Sequence, residues 1–420
     1  MTLTLTKDKK DKIINLCVKA IKNNTSSNRE VAILLRNLTA ALEAIPLGKL
    51  HYRELESQKI HELKINKGNF EAKMQLNTAS IGNIKWWINN TSQAVRNLDQ
   101  KPIDYIIFTD ASEKGWGATD NAISIGGPWD KSELGLHINI LEMKAVELSM
   151  LALLKNREVA NVQLMIDNTT AIAYINNMGG AKSKECNAIA QNIWKIAQDK
   201  GIWLTANHIP GKNNILADFK SRHFDMSAEW TITKFVFDKI LLQFGEPNID
   251  MFATRLNTKL SDYISWKPDP YAKAIDAFAY TWTMTFPYCF PPFSIIGKVL
   301  KKIVEDKVEK AIMVVPLWPT QPWFPTFLKL MVSTPIMFRS SRKYLKHPQH
   351  QETQHPLAPK LKFLVALLSH QSTQYQACQK KQQILYSDHG PVELAKNMNI
   401  PIRNGNSFVL NGEKISLHHI

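Results

Sequence analysis

Four carboxylates in the middle of the chain stand where a predicted strand ends or a predicted helix begins. Asp110 closes the strand pattern IIFTD, and Asp167 closes the strand pattern VQLMID. Glu142 opens the helical pattern LEMKAVELSM, and Asp218 lies in the first turn of the helical pattern NNILADFKSR. Strand ends in an α/β sheet are where such folds build their sites. The four acids are therefore candidates for one shared site.

Each of these acids also has a structural explanation. Asp110 could form an Asx-turn with the residues that follow it, and Asp167 could help to cap the next helix. Glu142 lies three residues after Asn139 and could complete a capping box. Asp218 would favour the dipole of its own helix. Taken singly, each acid fits its structural role at least as well as a functional one.

Taken together, the four acids point to a metal site. The helix that follows Glu142 is apolar almost all round, and such a helix is buried. A carboxylate near that core is costly unless it is paired or binds a cation. No Lys or Arg within these motifs is an obvious partner for all four acids. Oxygen ligands suit Mg²⁺, with Mn²⁺ as an alternative, and Mg²⁺ also takes phosphate oxygens as ligands.

The elements around the acids alternate between strand and helix patterns. Residues 101–224 contain in order a strand, a glycine-rich hairpin (GWGATDNAISIGG), a strand that turns into the apolar helix, a strand, two helices, a strand and a final helix. This order predicts an α/β layer architecture in one compact unit.

The flanking regions differ from this middle unit. Residues 10–45 have the spacing of two amphipathic helices, and a third helical pattern follows around HYRELESQKIHELKI. Residues 225–336 are rich in aromatic residues and proline and predict a second folded unit. The tail from residue 337 is basic and His-rich, with one predicted amphipathic helix, LKFLVALLSH, in otherwise extended or poorly ordered chain.

Net charge is concentrated in the two flanks of the 420-residue chain, whose total is +15. Residues 1–100 hold 16 basic and 9 acidic residues, residues 337–420 hold 11 and 4, and the middle is close to neutral. Basic flanks suit a polyanionic partner contacted through its phosphates, although a solvated basic surface is the plain alternative.

Cysteine usage and hydropathy bear on the compartment. The four cysteines lie far apart with no paired spacing, which argues against a disulfide framework or a zinc ribbon: Cys17, Cys186, Cys289 and Cys378. The first residues lack the apolar region of a signal peptide, and no apolar run is long enough to span a bilayer. We therefore expect an intracellular protein of the cytoplasm or nucleus.

Four segments carry a resemblance to a known family. IFTDAS, the Glu on the following long helix, IDNTTA and HIPGKNNILADFKSR resemble, in order, the four catalytic blocks of retroelement ribonuclease H. The last block is the most specific, because His-x-x-Gly-x-x-Asn-x-x-x-Asp is a compound spacing. The flanks (IPLGKLHYRELE and KGNFEAKMQL before the middle unit; DMFATRLN, IDAFAY, FPPFSII and VVPLWPTQPWFP after it) resemble DIRS-type retrotransposon polyproteins. The resemblance covers roughly residues 40–370, and no Tyr-x-Asp-Asp polymerase motif is present.

The resemblance implies a domain order. Residues 1–100 would be a mostly helical C-terminal or connection remnant of a reverse transcriptase. Residues 101–224 would form a ribonuclease H-like mixed sheet with flanking helices. Residues 225–336 would form a second α/β, methyltransferase-like domain, followed by the basic tail. Partners would be an RNA–DNA hybrid and the rest of a retroelement replication complex.

The resemblance also implies an endonuclease that hydrolyses the RNA strand of RNA–DNA hybrids with two divalent ions. Asp110 would bridge both ions, Glu142 and Asp167 would complete the shell of one, and Asp218 that of the other. The products would carry a 3′-hydroxyl and a 5′-phosphate. His208 has the spacing of a loop His that aids proton transfer or product release, and its alternative is a strand-end His with a satisfied hydrogen bond.

Three further side chains are weaker candidates for substrate contact. Asn168 and Ser112 could contact a 2′-hydroxyl or the metal shell. Trp116 in the glycine-rich segment could pack against the DNA strand or could be a core residue of the hairpin.

Two other functions remain open at the level of sequence. The first is a catalytically silent, nucleic-acid-binding retroelement remnant. The second is a DNA adenine methyltransferase, which would need an [Asp/Asn]-Pro-Pro-[Tyr/Phe] loop. The matching stretch here begins with Phe290, which has no side-chain acceptor, so we expect the second domain to be inactive. Phe293 could still stack on a base, or the stretch could be only a proline-stiffened turn.

Overall fold

The computed structural model describes residues 1–23, 25–99, 102–180, 182–224, 229–349, 352–358, 360–371, 407–410 and 413–419. The chain divides into two compact units, Met1–Phe224 and Asp225–Ile420. Within the described residues, no helix combines the length and apolar character needed to cross a membrane.

The first part of unit 1 is mostly helical, as the apolar spacing predicts. Helix α2 begins with a capping box in which Ser27 and Glu30 bond each other's backbone N–H groups. The core of this helical part includes the fully buried side chains of Leu38, Leu55 and Trp87. The elements are β1 (Thr2–Leu3), α1 (Lys7–Asn23), β2 (Thr25–Ser27), α2 (Asn28–Ala41), a 3-10 helix (Pro46–His51), α3 (Arg53–Ile65), β3 (Lys73–Gln75), α4 (Thr78–Thr91) and β4 (Arg96–Asn97).

The second part of unit 1 is a five-stranded mixed sheet with helices. Its elements are β5 (Tyr105–Ala111), β6 (Gly115–Thr119), β7 (Ser124–Pro128), α5 (Ile138–Leu153), β8 (Asn161–Ile166), α6 (Thr169–Asn176), α7 (Lys184–Asp199), β9 (Trp203–His208) and α8 (Ile215–Arg222). The strand order is β7-β6-β5-β8-β9. The pairs β7/β6 and β6/β5 are antiparallel, whereas β5/β8 and β8/β9 are parallel. The predicted mixed sheet with flanking helices is confirmed.

The packing of helix α5 explains why its sequence is apolar on every side. Met143 and Val146 pack into the cluster formed with β8, β9, α6 and α7. Ala145 and Leu148 pack instead into a cluster with Trp116 and other residues of β6 and β7. The helix therefore lies between two apolar clusters, as its composition predicts. The short strand predicted just before it is wrong, because the chain there ends a turn and enters α5 directly.

Trp116 belongs to the hairpin core. Its side chain is 3% exposed and packs with Ala118, Ile125 and Trp129. A side chain so buried cannot cover a DNA strand, so the proposed substrate contact is wrong and the core alternative is confirmed.

Glycines in the β6–β7 hairpin let helix α8 lie directly on the sheet. A Cβ atom added at Gly117 would stand 2.1 Å from the Ala217 carbonyl oxygen. One added at Gly126 would stand 2.5 Å from the Lys220 carbonyl oxygen. Both contacts are with helix backbone, which cannot give way as a flexible side chain could. The glycine-rich segment thus fixes the distance between α8 and the strand that carries Asp110.

Unit 2 is built on its own six-stranded sheet. Its elements are β10 (Thr231–Ile232), α9 (Lys234–Phe244), β11 (Ile249–Asp250), β12 (Ile264–Ser265), β13 (Ala274–Ile275), β14 (Pro287–Cys289), α10 (Ile296–Glu305), β15 (Ala311–Pro316), α11 (Phe324–Leu330), β16 (Ile336–Arg339), β17 (Leu345–Lys346), β18 (Lys362–Leu368), β19 (Ser407–Leu410), β20 (Glu413–Ser416) and β21 (His418–His419). The sheet order is β11-β14-β15-β18-β16-β21. Alternate residues of β15 enter two clusters, one with α9 and one with α10 and α11, so helices cover both faces. Unit 2 is α/β, and its likeness to methyltransferases stays a prediction.

The C-terminal region requires two corrections. LKFLVALLSH is not an amphipathic helix, because residues Lys362–Leu368 form strand β18 between β15 and β16. A short apolar run cannot be assigned to helix or buried strand by periodicity alone. The predicted domain end at residue 336 is wrong for the same reason, since β16 and β18 complete the sheet beyond it. The remaining prediction for the tail falls mainly on residues 372–406, which lie outside the described residues.

The close contact between Gly117 and helix α8 can be tested by a substitution that adds one methyl group. We expect Gly117→Ala to lower the free energy of unfolding by about 1–3 kcal/mol, because the added carbon meets helix backbone. Amide hydrogen exchange in peptides from α8 should become faster. The matched control is Gly82→Ala in α4, where an added Cβ meets no atom within 4 Å. That variant should be more stable by about 0.5–1 kcal/mol. Unchanged exchange in α8 of Gly117→Ala would contradict the proposed role.

Candidate active site

Three carboxylates meet at the carboxyl end of the parallel strands β5 and β8. Phe108 pairs with Met165, and continuing this register by two residues places Asp110 level with Asp167, directly after β8. Glu142 reaches the same place from the first turns of α5. One oxygen of each acid lies within 4.8 Å of one oxygen of the other two. The three acids are therefore close enough to share a metal ion.

The electrostatics of this trio are unfavourable without a cation. Burial raises the pKa of Glu142 to about 9, and the charges of Asp110 and Asp167 add to the shift. A hydrogen bond from the Ala111 backbone opposes the shift, while carboxylate oxygen Oε2 has no hydrogen-bond partner among the residues that the structure describes. A divalent cation would be coordinated by this unpaired oxygen and would neutralise the charges of the two neighbouring acids. Hard oxygen donors suit Mg²⁺ or Mn²⁺, so the residues present fit such an ion.

Asp110 is buried as deeply as Glu142, but one hydrogen bond stabilises its charged form. Burial raises its pKa to about 6, and the charges of Asp167 and Asp218 act in the same direction. The Ser221 hydroxyl donates to Asp110 Oδ2 at 2.6 Å, which lowers this pKa. The carboxylate therefore stays within reach of its charged form near neutral pH.

Asp218 stands apart from the trio, on the rim of the same cavity. This cavity has a volume of about 800 Å³ and is lined by Asp110, Glu142, Asp167, Asp218 and Arg222, among others. Asp218 Oδ1 accepts hydrogen bonds of 2.7 Å from the Arg222 guanidinium, and both side chains are about half exposed. The bond to Asp218 raises the pKa of Arg222. The predicted fourth acid thus lines the site but is ion-paired.

His208 lies beside the site without lining the cavity. It ends strand β9, where it pairs with Ile166, the residue before Asp167. Its side chain is exposed. The loop that follows it passes close to the acids, because a Cβ atom added at Gly211 would stand 3.1 Å from Asp167 Oδ2. The structure therefore brings the loop after His208 to the trio, while His208 itself is exposed and does not line the cavity.

The helix caps near the acids are supplied by other residues. Asn168, not Asp167, caps α6, since its Oδ1 accepts from the Ala171 N–H at 3.0 Å. His137 caps α5, so Glu142 is not the third residue of a capping box and that alternative is wrong. Asn168 Nδ2 also donates to Asn139 Oδ1. Its amide is therefore committed to local structure.

Ser112 has a structural role as well. Its hydroxyl donates to the Ser221 carbonyl oxygen at 2.7 Å and accepts from the N–H groups of Lys114 and Gly115. These bonds hold the β5–β6 turn and tie it to the end of α8.

Sequence reasoning missed two residues of the site, Ser221 and Arg222. They follow Asp218 by three and four positions, the spacing that places side chains on one helix face. That spacing was the one sequence signal that they share a face with Asp218. It was not sufficient, because Ser and Arg at a helix end are often simply exposed to solvent. Only the packing of α8 on the hairpin shows that Ser221 is fully buried.

Unit 2 contains a separate cavity of about 210 Å³ near the Phe-Pro-Pro-Phe stretch. It is lined by Asp250, Tyr288, Phe290 and Pro292, among others. Both oxygens of the buried Asp250 accept backbone N–H groups, from Phe252 and Lys259. Phe293 packs instead on Trp318, with ring centroids 5.1 Å apart. Base stacking by Phe293 stays a prediction.

Comparisons with known proteins give weak likenesses. No protein-family model matches the chain, and no curated protein is similar to it. Ribonuclease H1 from the archaeon Halobacterium salinarum is 12% identical over 28% of this chain and 92% of its own, with a TM-score of 0.24. LC11-RNase H1 in complex with an RNA/DNA hybrid is 19% identical over 28% and 93%, with a TM-score of 0.24. A foamy viral protease-reverse transcriptase in complex with an RNA/DNA hybrid is 14% identical over 54% and 31%, with a TM-score of 0.18.

The burial of Glu142 predicts a pH effect on stability. A carboxyl whose folded pKa is raised binds its proton more tightly in the folded state. Without divalent ions, the free energy of unfolding should therefore fall as pH rises from about 4.3, the unfolded value, toward the folded pKa. We expect Glu142→Gln to reduce this fall. At pH 8 its Tm should exceed that of the parent by a few degrees, since 1 kcal/mol corresponds to about 2–4 °C in a unit of this size.

The control is Glu147→Gln on the same helix, whose carboxylate is buried but bonded to the Asn192 amide. Its melting profile against pH should follow that of the parent. Adding Mn²⁺ at pH 8 should raise the Tm of the parent and of Glu147→Gln more than that of Glu142→Gln. Identical pH profiles for all three proteins would show that Glu142 does not carry the electrostatic cost.

Proposed function

We propose that this chain is a metal-dependent ribonuclease H, an endonuclease that hydrolyses the RNA strand of RNA–DNA hybrids. The observation that supports this most strongly is the convergence of Asp110, Glu142 and Asp167 from three separate elements to within 4.8 Å. An acid with a purely structural role would cap a helix, form an ion pair or be exposed to solvent. Asp110 and Glu142 are each only 4% exposed, and the nearby helices are capped by His137 and Asn168. The sequence resemblance to retroelement ribonuclease H, block by block, supports the same function.

The residues would divide the work as the resemblance implies. Asp110 would contact two ions, Glu142 and Asp167 would hold one of them, and Asp218 would hold the other. Bound Mg²⁺ or Mn²⁺ would supply an activated water and would neutralise charge on the scissile phosphate. Asp218 is half exposed, so it can turn from Arg222 to an ion without any change in the core. The Arg222 guanidinium would then be free to bind a phosphate oxygen, for which its planar fork is suited.

His208 would move protons at the edge of the site. Its side chain is exposed, and in the sheet it pairs with Ile166, the residue before Asp167. Histidine is the side chain most often used for general acid–base catalysis. It would take up a proton released during attack or deliver one to the leaving 3′-oxygen.

Hybrid recognition would rest on shape and charge. A hybrid differs from pure DNA in its 2′-hydroxyls and its A-like form, and contacts to these features read little sequence. Basic residues, including Lys114 in the lining of the cavity, would contact phosphates. We therefore propose a nuclease of low sequence specificity that works within a retroelement replication complex.

Asp110→Asn tests the site directly. We expect it to abolish cleavage of a labelled RNA–DNA hybrid in Mg²⁺ or Mn²⁺, because an amide oxygen without charge cannot hold two cations. Folding and hybrid binding, measured by circular dichroism and fluorescence anisotropy, should stay nearly unchanged. The control is Asp120→Asn in the β6–β7 turn, where an Asn can accept the same backbone bonds. It should cut like the parent.

Two results would count against the proposal. If Asp110→Asn cuts as fast as the parent, the site is assigned wrongly. If the parent binds the hybrid and does not cut it in either metal, the chain is the catalytically silent binding remnant.

His208→Ala tests the proton-transfer role. General acid–base groups contribute about 10²–10⁴-fold, and an exposed His that water can partly replace should lie at the low end. We expect kcat to fall about 100-fold, with KM for the hybrid unchanged. A variant with the parent's kcat would support the alternative of a satisfied strand-end histidine.

A further inference from the structure

Ser221 makes the one side-chain hydrogen bond that Asp110 receives within the described residues. Its side chain is 0% exposed, one residue before the end of α8. Its Oγ lies 2.6 Å from Asp110 Oδ2 and 2.8 Å from the Asp218 carbonyl oxygen. A hydroxyl has one proton, and a charged acceptor forms the shorter and stronger bond. The proton is therefore directed to Asp110.

The backbone of Ser221 is itself fixed from two sides. Its carbonyl oxygen accepts the hydrogen bond from Ser112 Oγ on the β5–β6 turn. Its amide nitrogen would stand 2.6 Å from a Cβ at Gly117, so the helix backbone rests on strand β6. A donor held in this way cannot follow Asp110 if that carboxylate moves.

Asp110 needs such a restraint because its neighbours repel it. Glu142 and Asp167 lie within 4.8 Å and Asp218 lines the same cavity, and like charges at this range favour a turned or protonated carboxylate. Fixing one oxygen limits rotation of the Asp110 carboxylate. Partners of this kind orient the groups that bind an ion and are worth about 10- to 100-fold in affinity.

We propose that Ser221 is a positioning residue whose buried hydroxyl holds the Asp110 carboxylate in place, so that the acidic trio is preorganised for a divalent cation. The consequence for cleavage rests on the proposed function, while the consequence for ion binding does not. Ser221 has no contact with substrate in this role and acts through Asp110 alone.

The experiment measures ion binding apart from catalysis. The full chain is titrated with Mn²⁺, and free Mn²⁺ is followed by electron paramagnetic resonance for the parent, Ser221→Ala, Ser221→Cys and Ser149→Ala. Ser149 is the matched control: it is also 0% exposed on a helix, but within the described residues its hydroxyl bonds only the Ala145 carbonyl of its own helix. Ser221→Cys keeps the side-chain volume and replaces the hydroxyl with a weak donor.

We expect the Kd for Mn²⁺ to rise about tenfold in Ser221→Ala and to rise less in Ser221→Cys. It should not change in Ser149→Ala. Cleavage by Ser221→Ala should need about tenfold more Mn²⁺ for half the maximal rate, with KM for the hybrid unchanged. If Ser221→Ala does not fold, Ser221→Cys decides the matter, because a folded Cys variant must still bind Mn²⁺ more weakly.

Three outcomes would overturn the proposal: a parent-like Kd in the folded Ser221 variants, an equal loss in Ser149→Ala, or no Mn²⁺ binding by the parent. A parent that binds Mn²⁺ and shows the Ser221 effect but cuts no hybrid would leave this inference standing and would remove the proposed function.

Discussion

The crowding of like charges in a buried corner is the constraint on which the site depends. Glu142 lies on a helix that is enclosed by two apolar clusters, and one of its carboxylate oxygens has no hydrogen-bond partner in the described part of the chain. Asp110 and Asp167 stand beside it and raise its pKa further. A fold that keeps three acids together under these conditions loses stability in the absence of a cation. The arrangement is understandable if a bound ion offsets the cost.

Helix α8 completes this corner, and the glycines of the hairpin set its position. With a side chain at Gly117 or Gly126 the helix backbone would have to move outward. Ser221 would then leave Asp110, and Asp218 would move with it. The glycine-rich segment therefore affects the site indirectly, because it sets the distance between helix α8 and the β6–β7 hairpin. A turn-forming role alone would not require glycine at positions that lie within the strands.

The sequence predicts the part of this arrangement that depends on periodicity and element ends. Three features follow from local patterns: the strand and helix order of residues 101–224 apart from the strand wrongly predicted before α5, the burial of α5, and the placement of Asp110 and Asp167 at the ends of neighbouring strands. What it misses depends on long-range packing. Ser221 is polar and stands near a helix end, so nothing local distinguishes it from a solvated serine. Strand β18 is an apolar run that also fits a helix, and only its pairing with β15 and β16 decides the matter.

Unit 2 shows why burial of an acid is not enough to indicate an ion site. Asp250 is as buried as Glu142, and burial raises its pKa to about 6. Its two oxygens, however, accept backbone N–H groups from Phe252 and Lys259, and the Lys259 charge also favours the ionised form. Such a carboxylate is satisfied by its own chain. Glu142 differs because one of its oxygens accepts no hydrogen bond from any described residue and because two other acids lie next to it. The combination of an orphaned oxygen with convergent like charges, and not burial itself, is what distinguishes the metal candidate from the structural acid.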